Sequence, residues 1–154
     1  MVHQQDGGSR NEDILRAEAE MTEETQKFEM RLEVVPLPVA DVDRAKAFYA
    51  EKIGFNVDHD SYPSEGVRVV QLTPHGSGCS VVIGTGLGEI SEMTPGSVKG
   101  LHLVVKDVAA LREHLLAKGV PVGEIIEYPR GIKYVHFSDP DGNSWALQEI
   151  PPGL

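Results

Sequence analysis

Between Arg31 and Ile150 the apolar residues repeat every second position in some stretches and with a helical period in others, and the two patterns alternate in a fixed order. RLEVVPLPV reads as a strand. DVDRAKAFYAEKIG reads as a helix with Asp41 as N-cap and Gly54 as its stop. Three short strands follow, FNVDHD, VRVVQLT and CSVVIG, with YPSEG and PHGSG as the turns between them. The polar, glycine-rich stretch GTGLGEISEMTPGS is a connector. The same order then returns: GLHLVV as strand, DVAALREHLLAKG as helix, and VPVGEIIEY, GIKYVHFS and NSWALQEI as strands.

Residue identities support a duplication. A shift of 66 superimposes Leu37, Val39, Asp41, Val42 and Lys52 on Leu103, Val105, Asp107, Val108 and Lys118, and Tyr62-Pro63 on Tyr128-Pro129. After one deletion, VRVVQLT matches IKYVHFS at a shift of 65. The expected fold is α+β: two tandem βαβββ modules, residues 31–84 and 99–150, within one domain spanning 31–150, followed by a tail at 151–154. Each helix can cover one face of its sheet, and the other face is left to border a cavity.

The first 30 residues follow neither module. MVHQQDGG reads as a disordered tip, and a helix is expected from Asn11, with Ile14, Ala17, Met21 and Phe28 on a thin apolar stripe. Of the net charge of −10, this segment carries −5, eight acids against three bases. An acidic chain without clustered Lys and Arg is not built to bind nucleic acid. No apolar run approaches the length of a membrane span, no signal peptide is evident, and the single Cys79 cannot form an intrachain disulfide. A cytoplasmic protein is expected.

The stretch LPVADVDRAKAFYAEKIGF, the hairpin SDPDGNSWALQE and the paired modules together resemble the vicinal oxygen chelate superfamily, over about residues 31–150. Its members include glyoxalase I, bleomycin-resistance proteins, fosfomycin-resistance enzymes and extradiol dioxygenases. The resemblance implies an open, cupped mixed sheet around a cavity, often in a homodimer, with a divalent metal in the enzymatic members. It also implies metal ligands, His, Glu or Gln, from the first and last strands of each module. The matching positions hold Val34 and Gly100 on the first strands, and Val81 (or Ile83) and Ala146 on the last. None offers a side-chain donor, so neither metal nor cofactor is expected.

Strand alternation selects what else faces inward. In the second module these are Gly100, His102 and Val104, then Tyr134 and His136, then Ser144, Ala146 and Gln148; in the first they include Gln71 and Val69. Gln71, His102, Tyr134, His136, Ser144 and Gln148 are therefore the candidate ligand-binding residues, with His102 and His136 also candidate catalytic ones. Tyr62 and Tyr128 suit either the mouth of such a site or ordinary turns. Trp145 has the opposite parity and belongs to the core. Asp139 and Asp141 suit a turn that caps backbone amides. Of Asp58, His59 and Asp60, only Asp58 and Asp60 share a parity and could converge, and a solvated edge strand is the better reading.

Two functions fit. One is a metal-free homodimer that sequesters an antibiotic or metabolite, a small and partly aromatic molecule. The other is an enzyme, a lyase, isomerase or related catalyst, using His102, His136 and Gln148 as a displaced metal site or a histidine as general base without metal.

Overall fold

The computed structural model describes residues 6–154. Residues up to Arg31 make one compact unit and Leu32–Leu154 another. The first unit contains helix α1, Asp6–Thr25. It begins five residues before the expected Asn11, and the tip expected to be disordered falls partly inside it; residues 1–5 lie outside the described part. The last turn of α1 contains no basic residue.

The second unit repeats one order of elements. Module one is β1 (Val34–Pro36), α2 (Val42–Ala47), β2 (Asn56–Ser64), β3 (Val67–Thr73) and β4 (Ser80–Thr85). A short helix α3 (Glu89–Glu92) sits in the connector. Module two is β5 (Leu101–Val104), α4 (Val108–Ala117), β6 (Ile126–Glu127), β7 (Lys133–Ser138) and β8 (Ser144–Glu149). The strands form two open four-stranded sheets with equivalent orders, β1-β4-β3-β2 and β5-β8-β7-β6. In each, the first and last strands pair in parallel and the remaining neighbours are antiparallel. This is the expected α+β architecture.

Both module helices start as the sequence requires. The carboxylates of Asp41 and Asp107 accept from the amides of Arg44 (3.1 Å) and Ala110 (3.0 Å). Helix α2 differs from α4 in its second half, where Phe48–Ile53 widen into π-helical turns. That winding turns each residue through a smaller angle, so the adjacent Phe48 and Tyr49 both reach the core. Gly54, at φ +92°, ends the helix in the left-handed region, where any side chain would be strained.

One core serves both modules. Val70, Leu72, Val81 and Ile83 from the first sheet join Val135, Phe137, Trp145 and Leu147 from the second. Aromatic rings link the halves: Tyr49 and Phe55 each lie 5.8 Å from Trp145, and Phe48 lies 6.3 Å from Phe137. Within this core sits the buried carboxylate of Asp139. Its Oδ1 accepts from the amides of Asp141, Gly142 and Asn143, and its Oδ2 accepts from Tyr49 Oη at 2.7 Å and Asn143 Nδ2 at 2.8 Å. Trp145 Nε1 donates in turn to Tyr49 Oη at 2.9 Å. Burial, reinforced by the neighbouring carboxylate, raises the pKa of Tyr49, so the phenol stays protonated and remains a donor.

The edge strand β2 departs from expectation. It runs on through Tyr62 and Pro63, leaving only Glu65 and Gly66 as the turn; proline is tolerated there because an edge strand leaves its outward N–H groups unpaired. A bulge between Val57 and His59 also breaks the alternation. Asp58 and Asp60 therefore do not converge. Asp58 bonds Asn56 and Thr73, whereas Asp60 lies across from Val70 and takes hydrogen bonds from Arg68 and Lys46.

Two outcomes test these packing roles. Tyr49→Phe should lower unfolding stability in urea by about 1–3 kcal/mol, because it removes one buried acceptor and one buried donor. Asp139→Ala, which strands several donors together, should cost more, on the order of 3–5 kcal/mol. The second outcome concerns acid. Hydrogen bonds from Arg68 and then Lys46 hold the Asp60 carboxyl well below the usual carboxylate range. With the folded pKa depressed, its stabilisation is complete above about pH 5 and is lost as the pH falls through the carboxylate range and below. Asp60 is partly solvated, so the effect is modest. Asp60→Asn should lower stability modestly near neutrality, change little at the acid end where the carboxyl is already protonated, and so flatten the acid limb of a stability-versus-pH curve.

Candidate functional site

Strand pairing sorts each sheet into a helix-covered face and a helix-free face. On the second sheet the helix-free face carries three transverse rows. Gly100 and Ser144 lie near Ser138, His102 and His136 flank Ala146, and Val104 and Tyr134 flank Gln148. Every second-module residue expected to face inward is on this face, and Trp145 is on the opposite, buried one.

Ala146 shapes the middle row. It is buried to within 1 % of its surface beneath larger neighbours, and its methyl group leaves room for the rings on either side. His102 meets Tyr134 edge to face, with centroids 5.8 Å apart. Tyr134 in turn lies 6.2 Å from the nearly parallel ring of His136 and 5.4 Å from the perpendicular ring of Tyr128. Together with Ile132 these four rings border an open cleft of about 430 Å³. Ile132 escaped the sequence reading, although its parity with Tyr134 and His136 marks the same face. Tyr128 reaches the cleft because the turn at Pro129–Gly131 projects it across β7.

The polar atoms of the face are fixed from behind. His102 Nδ1 donates to the Gly100 carbonyl at 2.7 Å, and the Gly100 amide donates to Ser144 Oγ at 2.9 Å. Gln148 Nε2 donates to Tyr134 Oη at 2.7 Å. Ser144 and Gln148 thus support the backbone and a neighbouring ring, whereas His102, Tyr134 and His136 line the cleft itself.

Gln71 is placed elsewhere. It lies on the helix-free face of the first sheet, between Val82 and His59. Among the described residues no hydrogen bond or ring contact joins it to the group around Ala146. Tyr62, the counterpart of Tyr128, lies under the guanidinium of Arg68 at 5.5 Å and does not line the cleft.

The register corrects one expectation. Val81 and Ile83 point into the core, not toward the helix-free face. The β3–β4 turn is one residue longer than its counterpart, so the repeat shift falls from 65 to 64, and Val82 is the equivalent of Ala146, opposite Gln71 as Ala146 is opposite His136. The four related positions are therefore Val34, Val82, Gly100 and Ala146, none with a side-chain donor. Among the described residues no three His, Cys, Asp or Glu side chains come together as a metal site. Of the residues expected to form a displaced site, His102 and His136 line the cleft, and the Gln148 amide nitrogen donates to Tyr134 Oη.

Paired βαβββ modules with one polar, ring-lined sheet face define the class of α+β fold to which this chain belongs. The chain belongs to the Glyoxalase/Bleomycin resistance protein/Dioxygenase superfamily, whose pattern it matches over residues 31–147. No curated protein sequence matches it. Among solved structures it is similar to TnmS3, an antibiotic binding protein from Streptomyces sp. CB03234, at 32 % identity and TM-score 0.71, covering 82 % of this chain and all of the other. A glyoxalase/bleomycin resistance protein from the same organism is 36 % identical, with TM-score 0.65 and coverage of 76 % and 98 %. A superfamily member from Sphaerobacter thermophilus is 27 % identical, with TM-score 0.70 and coverage of 79 % and 98 %.

Elemental analysis after purification in metal-supplemented buffer should find Ni, Zn, Fe and Mn well below one equivalent per chain. Near one equivalent, lost in His102→Ala, would identify a displaced site instead.

Proposed function

We propose that this protein binds and sequesters a small, partly aromatic molecule, an antibiotic or a metabolite, without a metal and in the cytoplasm. The observation that carries this reading is the cleft bordered by His102, Tyr128, Ile132, Tyr134 and His136: apolar ring surface for affinity and a few fixed polar atoms for orientation. The likeness to an antibiotic binding protein at 32 % identity supports it.

We further propose that the working unit is a homodimer. Within one chain the helix-covered sides of both sheets share a core, which leaves each helix-free face open. Val104, on that face, is 68 % exposed, and Tyr128, near the opposite edge of the same sheet, is 50 % exposed. A second copy would cover such apolar surface and close the cleft around its occupant.

A thermal-shift screen of a ligand library tests the binding role. Hits should be ring-containing neutral or cationic compounds, and their shifts should shrink in His102→Ala and Gln148→Ala. Shifts that survive both substitutions would remove these residues from the site, and turnover of a hit without added metal would make the protein an enzyme. Sedimentation should give a dimer at micromolar concentration; a monomer there would overturn the proposed assembly.

A further inference from the structure

The hydrogen bonds behind the cleft fix which way its polar atoms can act. A carbonyl oxygen only accepts, so the 2.7 Å contact between Gly100 O and His102 Nδ1 places a proton on Nδ1. In the neutral imidazole Nε2 is then a bare lone pair, and the ring that carries it lines the cleft. Tyr134 Oη receives its hydrogen bond from the Gln148 amide, so its own proton is free to donate. Among the groups that line the cleft, the hydrogen bonds fix the polarity of two: His102 Nε2 as an acceptor and Tyr134 O–H as a donor, on rings whose centroids are 5.8 Å apart.

We propose that this pair selects a planar aromatic ligand bearing a phenolic hydroxyl: the hydroxyl donates to His102 Nε2 while its oxygen accepts from Tyr134 O–H. A single phenolic oxygen meets both requirements, which neither an ether nor a bare hydrocarbon can do. The rings of Tyr128 and His136, steeply inclined to each other, border the aromatic body, which can stack on one and meet the other edge to face. Gln148 is a positioning residue that sets the polarity of Tyr134 without touching the ligand. This assignment rests on the proposed binding role and specifies its ligand class.

Three probes separate the contributions: 2-naphthol, 2-methoxynaphthalene, which can accept but not donate, and naphthalene, which can do neither. Affinities are measured by calorimetry or fluorescence in one buffer at a single pH. On the wild-type protein naphthol should bind about 3- to 10-fold more tightly than the ether, the worth of one hydrogen bond. In His102→Phe, which keeps an aromatic ring, that preference should vanish while the ether retains its advantage over naphthalene. Tyr134→Phe should erase the advantage of the ether. Gln148→Glu, whose carboxylate would capture the Tyr134 proton, should erase it as well, an effect that loss of packing alone would not produce. If all three probes bind alike to the wild-type protein, or if the naphthol preference survives His102→Phe, the ligand class is wrong while the aromatic cleft stands. If none binds, the cleft is not an aromatic site, and both readings fall.

Discussion

The Asp139 carboxylate holds the two halves of this protein in register. It is buried, it closes the β7–β8 turn through three backbone amides, and it accepts a hydrogen bond from the phenol of Tyr49, which lies 90 residues away in the other module. An unpaired charge in that position would cost several kcal/mol, and the five hydrogen bonds it accepts offset the desolvation. Everything along β8 inherits its phase from this turn. With the turn pinned, Trp145 and Leu147 must enter the core, and Ser144, Ala146 and Gln148 must face away from it. The cleft is thus a consequence of where a buried carboxylate sits.

The π-helical end of α2 belongs to the same arrangement. Tyr49 can reach Asp139 and Trp145 while Phe48 packs on Phe137 only because the two neighbours are rotated less than an α-helix would rotate them. Helix α4 has no such demand and stays regular. Asymmetry between duplicated modules begins in the core, before any question of ligand arises.

Much of this was legible in the sequence, for physical reasons. Alternation and caps are local, so the strands around Val70, His136 and Ala146 and the N-caps Asp41 and Asp107 could be read directly. The second-module face followed from parity once Leu103, Val135 and Phe137 were assigned to the core. What failed depended on a single inserted residue. The longer β3–β4 turn moved Val81 and Ile83 to the opposite face from the one expected, and the bulge at Asp58 separated two aspartates that simple alternation would unite. Ile132 lay hidden at the junction of a turn and a strand. The convergence of Tyr128 on Tyr134 depends on the conformation of that turn, which composition does not specify.

Gly84 occupies in the first module the place of Gln148 in the second, opposite Val69 as Gln148 is opposite Tyr134. A Cβ there would come within 2.0 Å of the Arg68 carbonyl oxygen, so backbone geometry bars any side chain from that spot. A side-chain amide at this place in the first module would require the backbone at Arg68 to shift. Duplication produced two sheets, and only one retained the freedom to diversify; a ligand held by the second would saturate at one molecule per chain, and a dimer at two.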